Sequence, residues 1–211
     1  MAPLLSTPLL AQDSHQDNDQ TLVRESTSKD NFFEVGPTLG VHSISAKGSN
    51  NNKIDMDNMV GLGGFMNIKV MDFLRVGGDI DVSATSRQED IGGVKVQSSL
   101  TNSRLGANVK YSFIDKERFC LWGKAGFAHH TFEQELSVKS DYSYANYSEK
   151  NTASTSSNAI GFGADFNVTK LVSLGGEVEH RRYNDFEFRK SRSKFSDFTS
   201  NNSVFRVGFH F

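Results

Sequence analysis

Eight times between Phe33 and Phe211 the chain alternates apolar with polar residues at period two, and no other feature limits its fold so strongly. Successive side chains of a strand point to opposite faces, so this alternation describes strands with one apolar and one polar side. The clearest stretch runs from Leu74 to Thr85. Leu74, Val76, Gly78, Ile80, Val82 and Ala84 share one face, and Arg75, Gly77, Asp79, Asp81, Ser83 and Thr85 share the other. The first stretch sets Phe33, Val35, Leu39 and Val41 against Glu34, Gly36, Thr38, Gly40 and His42. The second, less clean, sets Val60, Leu62 and Met66 against Gly61 and Gly63. The fourth sets Leu105, Ala107, Val109 and Tyr111 against Arg104, Gly106, Asn108 and Lys110, and the fifth sets Leu121, Ala125 and Phe127 against Trp122, Lys124, Gly126 and His130. The last three put Asp165, then Glu177, Glu179 and Arg181, then Arg206 on their polar sides.

The links between stretches alternate in length. Those around residues 67–72, 114–118 and 169–170 are short, whereas 47–57, 86–95, 135–158 and 183–202 are long and polar. Short turns at one end, long loops at the other and an even strand number are the pattern of a transmembrane barrel. Each apolar stretch has about 9–11 residues, the length a tilted strand needs to cross the hydrocarbon layer. The chain has 17 Phe and 18 Gly but only 3 Pro, a composition that fits many strands with aromatic residues spread over a surface. A membrane-spanning helix is excluded, because no run of about 18 apolar residues exists. The formal charge of −2, from 23 basic and 25 acidic residues, argues against nucleic acid as a partner. A single cysteine excludes a disulfide framework and a Cys-rich zinc site.

Alternation alone leaves the sign open, since a lipocalin-like barrel carries its apolar face inside. The ends of the stretches favour the membrane. Large aromatics (Phe33, Phe73, Tyr111, Phe166 and Phe211) gather at the borders of the apolar face, which predicts an aromatic girdle meeting two interfaces. The other face mixes both charge signs: Glu34, Arg75, Asp79, Asp81, Arg104, Lys124, Asp165, Glu177, Glu179, Arg181 and Arg206. Buried charges must be paired, so a balanced set suits a closed interior network. The fold expected is all-β, an eight-stranded antiparallel up-and-down transmembrane β-barrel over residues 32–211. Residues 1–11 read as an apolar secretory signal lacking its basic leader, and residues 12–31 as a polar, disordered lead-in.

The closing run from Val204 to Phe211 resembles the C-terminal signature of bacterial outer-membrane proteins, with Phe205, Val207, Phe209 and Phe211 in alternation. Phe33-Glu34-Val35-Gly36-Pro37-Thr38-Leu39-Gly40-Val41 resembles the first strand of small barrels of the OmpA and OmpX/Ail/Opa type, and Lys124-Ala125-Gly126-Phe127 resembles their fifth. The resemblance implies an integral outer-membrane protein in contact with lipid and lipopolysaccharide. It also implies that the barrel-assembly machinery reads the four terminal apolar residues during biogenesis.

An eight-stranded barrel is just wide enough for its side chains to fill it. The inward charges are expected to form a polar plug, with a gated ion path or narrow pore as the alternative. No enzyme is expected, although a lipid-modifying barrel remains a third reading; no cofactor or metal site is expected either. His129 and His130 are strand neighbours on opposite faces, His180 lacks a nearby Ser, and Cys120 lies at a short-turn end. Function is then expected on the long loops, as adhesion or interaction with a host or extracellular surface ligand by a monomer. The third loop is rich in Tyr, Ser and Asn, residue types that make adaptable contacts. The fourth carries Arg189, Lys190, Arg192 and Lys194 between Phe186, Phe188, Phe195 and Phe198, a basic tip suited to polyanions on a projecting ribbon.

Overall fold

Strand after strand, the β-branched and aromatic residues of the alternating stretches pair with their sequence neighbours, and the last pairs back to the first. The computed structural model describes residues 32–48, 53–140, 147–188 and 194–211. Residues 1–31, expected as a signal and lead-in, the centre of the third loop, and Arg189, Lys190 and Arg192 lie outside the described residues; of Lys194 only the backbone is described. The strands are β1 (Phe33–Gly48), β2 (Lys53–Met71), β3 (Leu74–Ile91), β4 (Val94–Asp115), β5 (Phe119–Ser140), β6 (Tyr147–Asn167), β7 (Val172–Tyr183), β8 (Phe186–Glu187) and β9 (Lys194–His210). Eight of them, β1 to β7 and β9, form a closed antiparallel ring sealed by β1–β9 pairing, while β8 is a two-residue spur on β9.

Closure carries a stagger. From Leu39 the paired residues lead through Leu62 and Val82 to Ser103 on β4. In the other direction they lead through Phe205, Gly176, Ala164 and Leu121 to Ile114 on the same strand. The offset between the two arrivals is the shear that tilts the strands of a barrel.

The long links are mostly strand. β4 and β5 each run for 22 residues, twice what the hydrocarbon layer requires, and the surplus stands beyond it as two-stranded ribbons. Residues 86–95, expected as a polar loop, are a hairpin closed by Gly92 and Gly93 at φ 61° and 86°, the positive values of a type I′ turn. The short turns also tighten. β2 continues past Asn67 to Met71, so Asn67 is a buried strand residue rather than part of a link. In the turn between β6 and β7 the Thr169 hydroxyl accepts the amides of Leu171 at 3.1 Å and Val172 at 3.0 Å.

The apolar face is outward. Ile80, Leu62, Leu105, Phe162 and Phe205 are all more than half exposed, and a soluble barrel would bury them. The aromatic border is one-sided, contrary to the two-interface expectation. Phe32, Phe73, Tyr111, Phe113, Phe119, Phe166 and Phe211 ring the short-turn end, with Phe73 on Tyr111 at 5.5 Å and Tyr111 on Phe113 at 5.4 Å. At the opposite border the described outward residues are Ser43, Val60, Ala84, Ser103, His129, Asn158, His180 and Ser203.

Candidate functional site: the barrel lumen

Within the belt level the inward positions hold charge. Arg104 meets Asp79 at 3.0 Å and Glu179 at 3.6 Å; Lys124 meets Glu177 at 2.8 Å, Glu179 at 2.9 Å and Asp79 at 3.7 Å. Arg181 donates to Glu179 at 2.7 Å and to the Ser157 hydroxyl at 2.8 Å. Nearer the short-turn end, Arg206 forks onto both oxygens of Asp165 and reaches Glu34 at 3.5 Å. Arg75 spans Glu34 at 4.0 Å and Asp115 at 3.6 Å. Asp81 stands apart from these clusters, 3.4 Å from His42. Backbone space for the long arms comes from inward glycines: a Cβ on Gly106 would lie 2.7 Å from Asp79, and one on Gly208 2.6 Å from Glu34.

Neutral donors and rings stand among the charges. The amides of Asn67, Asn108 and Asn202 donate to Glu34, Asp79 and Glu179 at 2.9, 2.9 and 3.0 Å. Trp122, fully buried, donates its indole N–H to Asp165 at 2.8 Å. Lys110 and Arg206 both lie over the Trp122 and Phe65 rings, with Lys110 at 4.3 Å and 5.4 Å from the centroids. Lys110 and Trp122 fall on the polar side of the sequence alternation, but nothing there marks them as members of one cluster. Phe65, with Gly63 and Gly64 before it, interrupts the second stretch and had no readable side.

Beyond the belt the inward residues change character. Ile44, Met59, Phe132, Ala153, Tyr183, Phe186, Phe188 and Phe198 form one buried apolar cluster across the long-loop mouth. Phe132 stacks on Phe186 at 5.4 Å, and Phe198 meets Phe132, Phe186 and Tyr183 edge-on at 5.4, 5.1 and 4.6 Å. The chain after β7 is tied to β6, where the Asn184 carbonyl accepts the Thr155 hydroxyl at 2.9 Å. Phe186, Phe188 and Phe198 therefore turn into the mouth, which corrects the expectation that they flank a freely projecting ribbon. The inversion was present in the sequence, since Ser43-Ile44-Ser45 and Thr131-Phe132-Glu133 keep the parity of their strands while swapping which face is apolar.

Below this stopper, His130 sits between two polar groups, Nε2 at 2.8 Å from the Ser157 hydroxyl and Nδ1 at 3.0 Å from the Asn102 side-chain oxygen. This is the spacing of a nucleophile, a base and its orienting group. Both Ser157 and His130 are 1% exposed, Tyr183 covers the imidazole at 4.7 Å, and Arg181 already donates to Ser157. A substrate carbonyl has no place beside that hydroxyl. Cys120 is buried against Ser112 at 3.5 Å, and among the described residues no group of three His, Cys, Asp or Glu side chains could hold a metal.

The family model described as the outer membrane protein beta-barrel domain matches residues 9–211. No curated protein matches the chain. Among solved structures it is similar to neisserial surface protein A, with a TM-score of 0.57 and 12% identity over 85% of this chain and 97% of that one. It is also similar to OprG of Pseudomonas aeruginosa, with a TM-score of 0.53 and 10% identity over 85% and 95% of the two chains. Ail of Yersinia pestis, solved in complex with the heparin analogue sucrose octasulfate, gives a TM-score of 0.50 and 16% identity over 85% and 99%. An eight-stranded closed ring with an apolar outer belt, matched over nearly its whole length by this family, belongs to the outer membrane protein β-barrel domain family and is an integral protein of the bacterial outer membrane.

Proposed function

We propose that the barrel is a sealed anchor that raises strand ribbons above the outer membrane as a surface for adhesion or interaction. The observation that carries this reading is the doubly filled lumen: a paired charge network at belt level and an apolar stopper above it. From Ala84 to Ile91, β3 runs on past the belt for roughly 25 Å at about 3.3 Å per residue, enough to lift a recognition surface well clear of the lipid. The network acts as a structural plug, and the Ser157–His130–Asn102 array serves as part of it rather than as a catalyst. The expected measurement is absence of steady conductance in planar bilayers; a reproducible open level would replace the anchor with the narrow-pore reading.

Arg189, Lys190, Arg192 and Lys194 are assigned here to binding polyanions such as lipopolysaccharide phosphates or anionic glycans. Four bases within six residues concentrate positive charge in one short stretch of the sequence, and Ail was solved with a heparin analogue on a barrel of this fold. Neutralising all four should leave the barrel folded and abolish retention on heparin at low salt, with the parent's retention falling as salt rises. Equal retention of parent and variant would remove the assignment. Phe205, Val207, Phe209 and Phe211 are assigned as the assembly signal; β9 is the strand that closes the ring against both β1 and β7. Deleting Phe211 should slow assembly in cells while leaving refolding in detergent intact.

A further inference from the structure

We infer that Lys110 marks a binding site for a small monovalent anion, a halide or a short carboxylate, inside the short-turn half of the lumen. The ladder places Lys110 directly opposite Arg75 on β3 and directly opposite Lys124 on β5. With Lys69 of β2 opposite Arg75, four cations stand in one cross-strand row and repel one another, and like charges at paired positions destabilise a sheet. Three of them lean away to carboxylates: Lys124 to Glu177 and Glu179, Arg75 to Glu34 and Asp115, and Lys69 to Asp72. Arg104, Arg181 and Arg206 likewise each have a carboxylate within 4.0 Å. Among the described residues Lys110 has none.

Lys110 is 3% exposed, and its described contacts are the faces of Trp122 and Phe65, which Arg206 also covers at 4.7 and 4.8 Å. Ring faces offset only part of the cost of removing a charge from water. Ser112, the next inward residue of β4, accepts the Cys120 thiol and keeps its own proton to donate. An anion beside Lys110 would meet a cation and a hydroxyl, with the Arg206 guanidinium across the rings. Glu34 and Glu177, held 3.5 and 2.8 Å from Arg206 and Lys124, oppose a second negative charge, so the site selects a monovalent ion. Entry is from the short-turn mouth, where Arg75 and Asp115 keep 12% and 24% of their side chains exposed; the other mouth is stoppered.

Trp122 is the single tryptophan of the chain and reports on the site directly. Full-length protein refolded in detergent would be titrated with sodium iodide at constant ionic strength while its fluorescence is read. The expected result is saturable quenching that sodium formate displaces, with none from caesium, a cationic quencher. Lys110→Met, checked for folding by its shift on unheated gels, should lose at least about tenfold in apparent affinity. Linear quenching in the parent, or equal affinity in a folded Lys110→Met, would overturn the site. Should that variant fail to fold, the parent's saturation and its competition by formate decide by themselves.

Discussion

Glu179 connects more of the lumen than any other carboxylate, accepting from Arg181 and Asn202 while Lys124 and Arg104 stand at 2.9 and 3.6 Å. Removing it leaves several buried donors without compensation, so Glu179→Ala should cost about 3–5 kcal/mol in equilibrium unfolding from lipid vesicles. Arg75→Ala should cost only about 1 kcal/mol, because Arg75 and Asp115 reach water at the mouth and solvent replaces the lost partner. The sequence named both residues as inward but ranked neither. Partner choice depends on register, which brings Glu34 and Arg206 together from opposite ends of the chain. On the outer face, Ile80→Arg should cost about 2–4 kcal/mol, measured in the same way. Ser83, three residues on and inward, is no easier host for an arginine; it is fully buried and would lie 3.0 Å from a Cβ on Gly61.

Individual strands were legible because alternation survives wherever each face has one solvent, lipid outside and packed polar groups inside. It blurs in β2, where Gly63, Gly64 and Phe65 break the pattern, and it inverts beyond the belt, where water replaces lipid outside and apolar rings replace charge inside. Polar composition therefore concealed the ribbons as loops. Gly92-Gly93 between Ile91 and Val94 was the sequence sign that one of them is a hairpin. Gly93→Val puts a β-branched residue at φ 86° and should fray that ribbon, seen as faster amide exchange from Glu89 to Val96, with the unfolding midpoint of the barrel unchanged. Phe198→Ala removes the ring that three other aromatics pack against. It should weaken the stopper by about 3 kcal/mol and expose the segment after β7 to chymotrypsin at Phe186 and Phe188, with the charge network in place and conductance still absent.

For the molecule in its membrane, the orientation of the faces has a direct readout. Environment-sensitive fluorophores at Val76, Ile80, Phe162 and Val207 should report lipid, whereas labels at Asp79, Asp165 or Arg206 should not; the reverse would turn the barrel inside out. The aromatic ring at the short-turn end adds a vertical consequence. Aromatic side chains favour the headgroup boundary, so Phe73, Tyr111, Phe113 and their neighbours fix the protein's depth from one leaflet only. The other border, edged with Val60, Ala84, Ser103 and Ser203, has no such fastening among the described residues. A thicker or thinner bilayer changes the match at whichever border yields more easily. Here that is the far one, so the same barrel would stand taller in a thin membrane and sink its ribbons closer to the sugar layer in a thick one, making lipid composition a control on how far the ribbons reach.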